Sequence, residues 1–423
     1  MKILWLSHLI PYPPIGGVLQ RSYNLVREVS KQHDLHLVAF NQQALLTSMF
    51  STEQEGKEAA MKHLQTYCRS VDFIDIPSDK NRYGKHSLAL KSLFTRNPYS
   101  INWLESGTMR DAIRAVKDKH EFDLVHFDTI SLAPYLDLFE DNLPKTLDHH
   151  NIESHMMLRR ASLETNPLKK FYFYQEGMKL LRYEKQVCKQ FDVNITCSVL
   201  DSERLREIDP SLTIDEIPNG VDTEFFKPGN NASSPERMIF AGGLDWYPNR
   251  DAMLFFADEI WPLLKAADPE LIMDVVGKFP PDEIVRLSHK DENYNVHGFV
   301  EDVLPYIDRA GVYVCPIRDG GGTKLKLLDA FSMAKAVVAH PAACEGLDVI
   351  DGYNVLLAET AKDFTACIQR IRSDKELRLS LGKHARKLAK NNYSFISIGE
   401  KLSSLYLGFS SKTVLPIGCL CAE

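Results

Sequence analysis

Short apolar runs alternate with helical segments along most of this 423-residue chain. Residues 2–7 form an apolar run, and a Pro/Gly turn then leads into a helical pattern that carries Tyr23 and Val26. Residues 35–40 form the next apolar run. This alternation is typical of βαβ units, in which helices connect the parallel strands of one sheet. The sequence therefore predicts an α/β protein.

A polar segment at 226–235, rich in Pro, Gly, Asn and Ser, interrupts the alternation and predicts a linker. We expect two doubly wound Rossmann-like domains, 1–230 and 236–395, that face a central cleft. A C-terminal helix and tail at 396–423 could pack back on the first domain. Eight further strands are predicted at 71–74, 124–127, 145–148, 193–196, 238–241, 271–276, 312–315 and 336–339. Sheets of this kind bind ligands beyond the carboxyl ends of their strands.

Composition excludes several classes of protein. The 50 basic and 57 acidic residues give a formal charge of −7, so we expect no nucleic-acid partner. No apolar run approaches the length of a membrane span, and the eight cysteines lack C-x-x-C pairs, which is typical of a cytoplasmic protein with buried thiols. Cys419 and Cys421 fit either a frayed tail or a metal or lipid site.

Two glycine-rich turns are candidate anion sites. Gly16 and Gly17 precede a helix that carries Arg21, a pattern that fits an anion site and a plain tight turn equally well. The stronger signal is 319–330, where three glycines and Thr323 lead into a helix. Backbone amides at such a helix start can hold a diphosphate. Lys324 and Lys326 would add charge, and Asp329 could accept hydrogen bonds from ribose hydroxyls.

Polar residues also follow the predicted strand 145–148, in the segment Asp148-His149-His150-Asn151-Ile152-Glu153. A strand's carboxyl end is the correct place for residues that line a ligand site. The paired histidines do not have a recognised zinc spacing. Taken alone, either histidine fits a structural role as well as a ligand-facing one. If the strand geometry continues, the two side chains point in opposite directions.

Together these motifs resemble the GT-B nucleotide-sugar glycosyltransferases, specifically family four of the retaining enzymes and its exopolysaccharide and cell-surface sugar transferases. The resemblance covers nearly the whole chain. It is carried in order by Pro11–Arg21, His150–Glu153, Ile217–Asp222, Gly242–Trp246 with Pro248-Asn249, Gly320–Ala330 and Ala343–Asp348.

The resemblance implies transfer of a sugar from a UDP- or GDP-linked donor to a glycan, lipid-linked or small-molecule acceptor, with retained anomeric configuration. It implies no cofactor and no metal. His150 and Asp329 are the expected catalytic residues, and Arg21, Asn151 and Glu153 are expected on the acceptor side. The expected donor-binding residues are Gly16, Gly17, Gly243, Arg250, Lys278, Arg318, Gly321, Gly322, Thr323, Lys324, Lys326 and Asp329.

Two departures from the family pattern affect these expectations. The family commonly has two glutamates eight positions apart where this chain has Gly321 and Asp329. It also often has an Arg and a Lys near the positions of Gly243 and Asn249. We expect a rearranged active site in which other cations balance the diphosphate. A nucleotide-sugar epimerase and a non-catalytic nucleotide-sugar binder are the alternative functions.

The segment 157–191 is locally basic within an acidic chain and contains the aromatic run 171–174. Such a helical segment could lie on an anionic membrane, which would give a peripheral location at the inner face. The other interpretation is a helix pair whose aromatic side chains face the core. Eight basic residues stand against three glutamates: Arg159, Arg160, Lys169, Lys170, Lys179, Arg182, Lys185 and Lys189.

Overall fold

The computed structural model describes residues 1–15, 17–80, 83–229, 233–319 and 324–412. The chain divides into two compact units: Met1–Pro218 together with the segment from Ile398, and Asn219–Ser397. We call these unit 1 and unit 2. The division precedes the predicted linker, and residues 219–229 belong to unit 2. Phe226 is buried there, and its carbonyl accepts a hydrogen bond from Ser332 Oγ.

Unit 1 contains a seven-stranded parallel sheet in the order β3-β2-β1-β4-β5-β6-β7. Its strands are β1 Lys2–Ser7, β2 Asp34–Asn41, β3 Ser70–Asp75, β4 Leu124–Asp128, β5 Lys145–His149, β6 Val193–Thr196 and β7 Ile214–Glu216. Its α-helices before the second unit are α1 Gly17–Val29, α2 Gln43–Thr47, α3 Glu53–Leu64, α4 Gly84–Ser92, α5 Tyr99–Leu104, α6 Gly107–Lys117, α7 Glu153–Leu163, α8 Pro167–Val187 and α9 Val199–Ile208. Short 3₁₀ helices cover Pro77–Lys80, Ile130–Leu138 and Cys188–Gln190.

Unit 2 contains a six-stranded parallel sheet in the order β10-β9-β8-β11-β12-β13. Its strands are β8 Ser234–Ala241, β9 Ile272–Val276, β10 Tyr294–Gly298, β11 Ala310–Cys315, β12 Ala336–Ala339 and β13 Leu356–Leu357. Its helices are α10 Tyr247–Phe255, α11 Trp261–Ala267, α12 Asp282–Lys290, α13 Leu304–Arg309, α14 Leu325–Ser332, α15 Ala361–Ser373 and α16 Lys375–Asn392, with a π-helix at Phe256–Ile260 and a 3₁₀ helix at Pro341–Cys344. The last helix, α17, spans Phe395–Lys412.

The two sheets confirm the predicted α/β class with two Rossmann-like domains. In each unit the strand order reverses beside the first strand, between β1 and β4 and between β8 and β11. A crevice beyond the carboxyl ends of two such strands is the usual ligand site of a doubly wound sheet. The structure adds β7, β10 and β13 to the predicted strands.

Burial on both faces explains why the strands appear as apolar runs. In β1, Leu4 and Leu6 pack into one apolar cluster of unit 1, whereas Ile3 and Trp5 pack into the other. Successive side chains of a strand point to opposite faces, and helices cover both faces of a parallel sheet. Every position of β1 from Ile3 to Ser7 is therefore buried.

Helix α17 contributes one apolar face to the core of unit 1. Ile398, Leu402 and Tyr406 recur every four residues and are buried beside β1. The Tyr406 hydroxyl lies 2.8 Å from Nδ1 of His126 on β4. Burial lowers the pKa of His126 to about 4, so this imidazole is neutral at physiological pH.

Helices α7 and α8 form an antiparallel hairpin in unit 1. Gly177 allows the close approach, because a Cβ there would lie 2.8 Å from the Leu158 side chain. The buried Glu184 carboxylate accepts hydrogen bonds from the Ser154 backbone N–H at 3.0 Å and from the Ser154 hydroxyl. Glu184 therefore caps the amino end of α7, the helix that begins immediately after the His150–Ile152 segment.

Glu184 predicts a pH dependence of stability. Burial raises the pKa of its carboxyl from 4.5 to about 7, although the Ser154 bonds oppose the change. The folded state therefore keeps the proton to a higher pH than the unfolded chain. The contribution to stability is full below about pH 4.5 and falls by about 3 kcal/mol as the pH rises through 7. We expect Glu184→Gln to lack this loss in urea unfolding at pH 5 and pH 8.

The exposed Glu203 on α9 offers a matched control. Glu203→Gln is expected to follow the wild-type pH profile. If Glu184→Gln also follows it, the buried carboxyl does not titrate between pH 5 and 8.

Candidate functional site

Unit 1 gathers polar side chains at the carboxyl ends of β1, β4 and β5. Asp128, the last residue of β4, is fully buried. Its carboxylate accepts hydrogen bonds from Ser7 Oγ and Ser22 Oγ, each at 2.8 Å, and lies 2.7 Å from His150 Nε2. We call Ser7, His8, Ser22, Asp128 and His150 the Asp128 cluster.

Asp128 and His150 form a charged pair. Burial would raise the pKa of Asp128, but His150 lowers it well below its usual range. Burial would likewise lower the pKa of His150, but Asp128 raises it above its ordinary value. The ionised carboxylate thus holds His150 as an imidazolium to a higher pH. Since Nε2 faces Asp128, Nδ1 is the ring nitrogen left to serve a ligand.

Sequence analysis missed His8 and Asp128. His8 Nδ1 lies 3.7 Å from Asp128 Oδ2 and has no hydrogen-bond partner within the described part of the chain. The His8 and His150 ring centroids are 5.3 Å apart. The available signal was a polar residue at the end of an apolar strand, which the sequence analysis applied to β5 but not to β1 or β4.

Arg21, which the resemblance assigns to the acceptor side, is buried against Asp148 at the end of β5. Its Nε and Nη2 atoms donate to the two Asp148 oxygens at 2.9 and 2.8 Å, and Nη1 donates to the carbonyls of Ile217 and Pro218. Burial would raise the pKa of Asp148, but Arg21 lowers it. This geometry gives Arg21 a structural role, because it ties α1 to β5 and to the segment after β7.

The two adjacent histidines differ in their surroundings. His149 is buried at the end of β5, with Nε2 at 3.1 Å from Asn194 Oδ1 on β6. Burial lowers the pKa of His149, whereas Asp128 raises the pKa of His150, so His149 loses its proton at a lower pH than His150. The structure therefore places His149 in the sheet and His150 in the Asp128 cluster.

Asn151 and Glu153, the other predicted acceptor-side residues, are partly buried beside the cluster. Glu153 opens α7 and accepts hydrogen bonds from Thr129 Oγ1 and Ser100 Oγ, each at 3.3 Å. Burial raises the pKa of Glu153, although His8 opposes the change. Glu153 is therefore held by weak bonds at the edge of the Asp128 cluster.

Two overlapping groups in unit 1 have ligand atoms close enough to hold a metal ion: His8, Asp128 and His150, and His126, Asp128 and Asp148. The shared Asp128 already accepts three hydrogen bonds, and Asp148 is paired with the Arg21 cation. A cation would have to displace these partners, so the donor set fits a hydrogen-bonded cluster better than a metal centre.

In unit 2, Lys326 occupies a pocket beyond the carboxyl ends of β8 and β11. Its Nζ donates a hydrogen bond to Asn249 Oδ1 and lies 5.0 Å from the Phe240 ring and 5.6 Å from the Trp246 ring. Asn249 Nδ2 in turn donates to the Gly243 carbonyl at 2.6 Å. We call Phe240, Gly243, Trp246, Asn249, Lys326 and Asp329 the Lys326 pocket.

Burial perturbs both ionisable groups of this pocket. It lowers the pKa of Lys326 to about 8, although Cys315 and Asp329 oppose the change. It raises the pKa of Asp329 to about 7, although Lys326 opposes the change. The positive charge of Lys326 is therefore only partly compensated by the residues around it.

The remaining predicted donor residues of unit 2 occupy different surroundings. Lys324, which precedes α14, is buried. Lys278 is half-exposed and lies 3.5 Å from Asp245, near Gly243. Arg318 pairs with Asp251 at 3.0 Å on α10, where Arg250 is exposed. Gly16, Gly321, Gly322 and Thr323 lie outside the described residues, and Gly17 begins α1.

The backbone of the turn after β8, beside Lys326, lies close to the backbone after β9. Gly242 N–H donates to the Val276 carbonyl at 2.8 Å, and a Cβ on Gly277 would lie 1.9 Å from the Gly242 carbonyl oxygen. Only glycine fits at 277 without displacing the turn after β8.

Residues 235–374, which contain the Lys326 pocket, match the family described as glycosyl transferases group 1. Unit 2 therefore carries a glycosyltransferase domain. A relative from Klebsiella pneumoniae, an uncharacterized 44.6 kDa protein in the cps region, is 22% identical over 84% of this chain and 87% of its own length.

The chain has the GT-B fold of its solved neighbours. Sucrose-phosphate synthase from Thermosynechococcus elongatus aligns over 97% of this chain and 100% of its own, with a TM-score of 0.68 and 16% identity. HepE of Anabaena, solved in complex with UDP, aligns over 96% of this chain and 100% of its own, with a TM-score of 0.64 and 14% identity.

The different surroundings of the two histidines predict different mutant behaviour. We expect His150→Ala to lower turnover about 100-fold or more, the usual cost of losing a positioned proton donor, and to leave nucleotide affinity nearly unchanged. We expect His149→Ala to act through stability, at a cost of a few kcal/mol, because it leaves a cavity and removes the partner of the buried Asn194 Oδ1. Turnover, nucleotide affinity and melting temperature should be measured for both variants.

His150→Gln serves as the folding control, because its side-chain amide can still donate to the buried Asp128. A folded His150→Ala protein with full activity would remove His150 from the site. A loss of turnover confined to His149→Ala would reverse the roles of the two rings.

Proposed function

We propose that this glycosyltransferase moves a sugar from a UDP- or GDP-linked donor to an acceptor with retained anomeric configuration. In this proposal unit 2 binds the nucleotide diphosphate at the amino end of α14. The observation that carries it is the Lys326 pocket, where neighbouring residues only partly balance the positive charge of a partly buried ammonium group. An incoming diphosphate would offset the desolvation cost of this cation.

Three further observations support the proposed donor site. The pocket lies at the strand-order reversal of the unit 2 sheet, where doubly wound folds bind nucleotides. Lys324 and Lys326 precede or open α14, whose amino end favours negative charge. HepE was solved with UDP and with UDP-glucose.

The proposed chemistry is charge stabilisation at the departing diphosphate. Transfer develops positive charge on the sugar and negative charge on the leaving group. Preorganised cations and backbone amides beside the departing diphosphate lower the barrier most. Lys326 and the amino end of α14 would supply them. Asp329 would accept hydrogen bonds from ribose hydroxyls. No divalent metal enters this scheme, since the lysines balance the charge.

Unit 1 would supply the sugar-side and acceptor-side groups. We assign His150 to the sugar ring, with Asp128 as the positioning residue that keeps the imidazole oriented and protonated. Asn151 and Glu153 would contact the acceptor, which we expect to be a glycan, a lipid-linked saccharide or a small molecule. The cps region of the Klebsiella relative favours a role in polysaccharide biosynthesis.

The charge of Lys326 is expected to dominate its contribution to nucleotide binding. Lys326→Ala should weaken UDP or GDP binding by about 1–3 kcal/mol, the usual range for a charge-assisted hydrogen bond. Lys326→Met should lose as much, because it keeps the packing beside Phe240 and Trp246 and removes the ammonium group together with its bond to Asn249. Calorimetry on both variants, with the exposed Lys290→Ala as control, measures the difference.

Unchanged affinity in Lys326→Met would move the phosphate site away from this pocket. If Lys290→Ala weakens nucleotide binding as much as the Lys326 variants do, the loss reflects the overall charge of the protein.

Product analysis tests the reaction itself. We expect labelled UDP- or GDP-sugar and a glycan acceptor to give a glycoside with the donor's anomeric configuration, at the same rate in excess chelator as with added magnesium. Proton NMR of the new linkage reads the configuration. An inverted product contradicts retention, and an epimerised donor indicates the epimerase. Activity that disappears with chelator and returns with magnesium or manganese would assign a metal to the reaction.

A further inference from the structure

Helix α8 carries a stripe of exposed apolar side chains along its first half. Leu168 is 81% exposed, Phe171 65% and Tyr174 55%, and the stripe continues to Met178. The spacing of three, three and four residues places them on one helical face. Within the aromatic run 171–174, Phe173 is the buried residue. The interpretation of this run as core-facing aromatic side chains therefore does not describe Phe171 and Tyr174.

The end of α4 extends this surface. Gln175 Nε2 donates to the Leu93 carbonyl at 2.9 Å, and Lys179 Nζ donates to the Ser92 carbonyl at 2.6 Å, so the end of α4 is fixed against α8. The next residue, Phe94, is 86% exposed. We call Phe94, Leu168, Phe171, Tyr174 and Met178 the apolar stripe.

The charge around the apolar stripe is more positive than the sequence indicates. Two of the three glutamates in 157–191, Glu176 and Glu184, are buried and accept backbone N–H groups of α5 and α7. Their charges are therefore turned inward. The exposed basic residues of the segments 91–96 and 157–191 are Lys91, Arg96, Arg160, Lys169, Lys170, Arg182, Lys185 and Lys189.

We propose that the apolar stripe and its basic border form an interfacial docking surface for an anionic lipid bilayer. Phenylalanine, leucine and tyrosine side chains insert at the boundary between headgroups and acyl chains, while lysines at the border contact lipid phosphates. Charge complementarity selects an anionic membrane over a symmetric pairing with a second copy, since such a dimer would place two cationic surfaces against each other. None of the described helices is long and apolar enough to cross a membrane.

The inference rests on the proposed function in one respect: a lipid-linked acceptor would be delivered at this surface of unit 1. Vesicle binding is measured without donor or acceptor. A failure of docking therefore leaves the glycosyl-transfer proposal intact, and a failure of transfer leaves docking measurable.

Vesicle flotation with the full-length protein tests the proposal. We expect at least tenfold tighter partition to phosphatidylcholine vesicles containing about one third phosphatidylglycerol than to pure phosphatidylcholine, with a decrease in high salt. Lys169→Glu with Lys170→Glu should lose about tenfold or more on the anionic vesicles. Leu168→Ser with Phe171→Ser should lose about tenfold at constant charge.

The matched controls are Lys62→Glu with Lys119→Glu, two exposed lysines elsewhere in unit 1, and Leu379→Ser, an exposed leucine of unit 2. Both should bind like the wild type. Melting temperature and UDP affinity report that every variant is folded.

Three results would overturn the proposal: no flotation of the wild-type protein, equal binding to neutral and anionic vesicles, or equal losses in the control variants. A wild-type dimer without lipid that Leu168→Ser with Phe171→Ser makes monomeric in sedimentation would assign the surface to a second copy instead.

Discussion

The buried carboxylate of Asp128 organises the polar end of unit 1. An unpaired carboxylate at this depth would cost several kcal/mol, so the fold must supply donors from every neighbouring element. Ser7 comes from the end of β1, Ser22 from α1 and His150 from the segment after β5. One carboxylate thereby fixes three chain segments at the strand-order reversal, and it sets the orientation and charge of His150.

Unit 2 uses the opposite arrangement. Asp128 is surrounded by donors, whereas Lys326 has an amide oxygen, two aromatic faces and the titrating Asp329 nearby. A site whose hydrogen bonds are all satisfied keeps its geometry without a ligand. A cation whose charge is only partly balanced is stabilised most when an anionic ligand binds. This difference is why we assign the positioning role to the Asp128 cluster and the diphosphate-binding role to the Lys326 pocket.

The sequence was sufficient to predict the fold where a strand is buried on both faces. Such strands are continuous apolar runs, as in β1 and β11. It failed for β10, where Asn295 and His297 interrupt the pattern, and for the two-residue β13. Lys326 and Asp329 were predicted as site residues because a glycine run precedes their helix. Asp128 was missed because its function depends on long-range partners such as Ser7 and His150, which sequence spacing does not reveal.

Arg21 shows how the same residue type can serve a different purpose once it is buried. An arginine near a glycine turn favours an anionic ligand, but here the guanidinium fork fits Asp148 and two backbone carbonyls. The acceptor-side role implied by the family resemblance would need guanidinium donors that Asp148, at the end of β5, already uses.

Two buried glutamates likewise have a structural role, and they affect the surface charge of the α7–α8 hairpin. Glu176 and Glu184 cap the helices α5 and α7 from within the protein, which satisfies backbone groups that a buried helix end would otherwise leave unpaired. Each buried cap also removes one negative charge from the surface of α8, while Lys169, Lys170 and Lys185 remain exposed. Glu184, which fixes the start of α7 directly after the His150 segment, therefore also helps to make the outer face of the hairpin cationic.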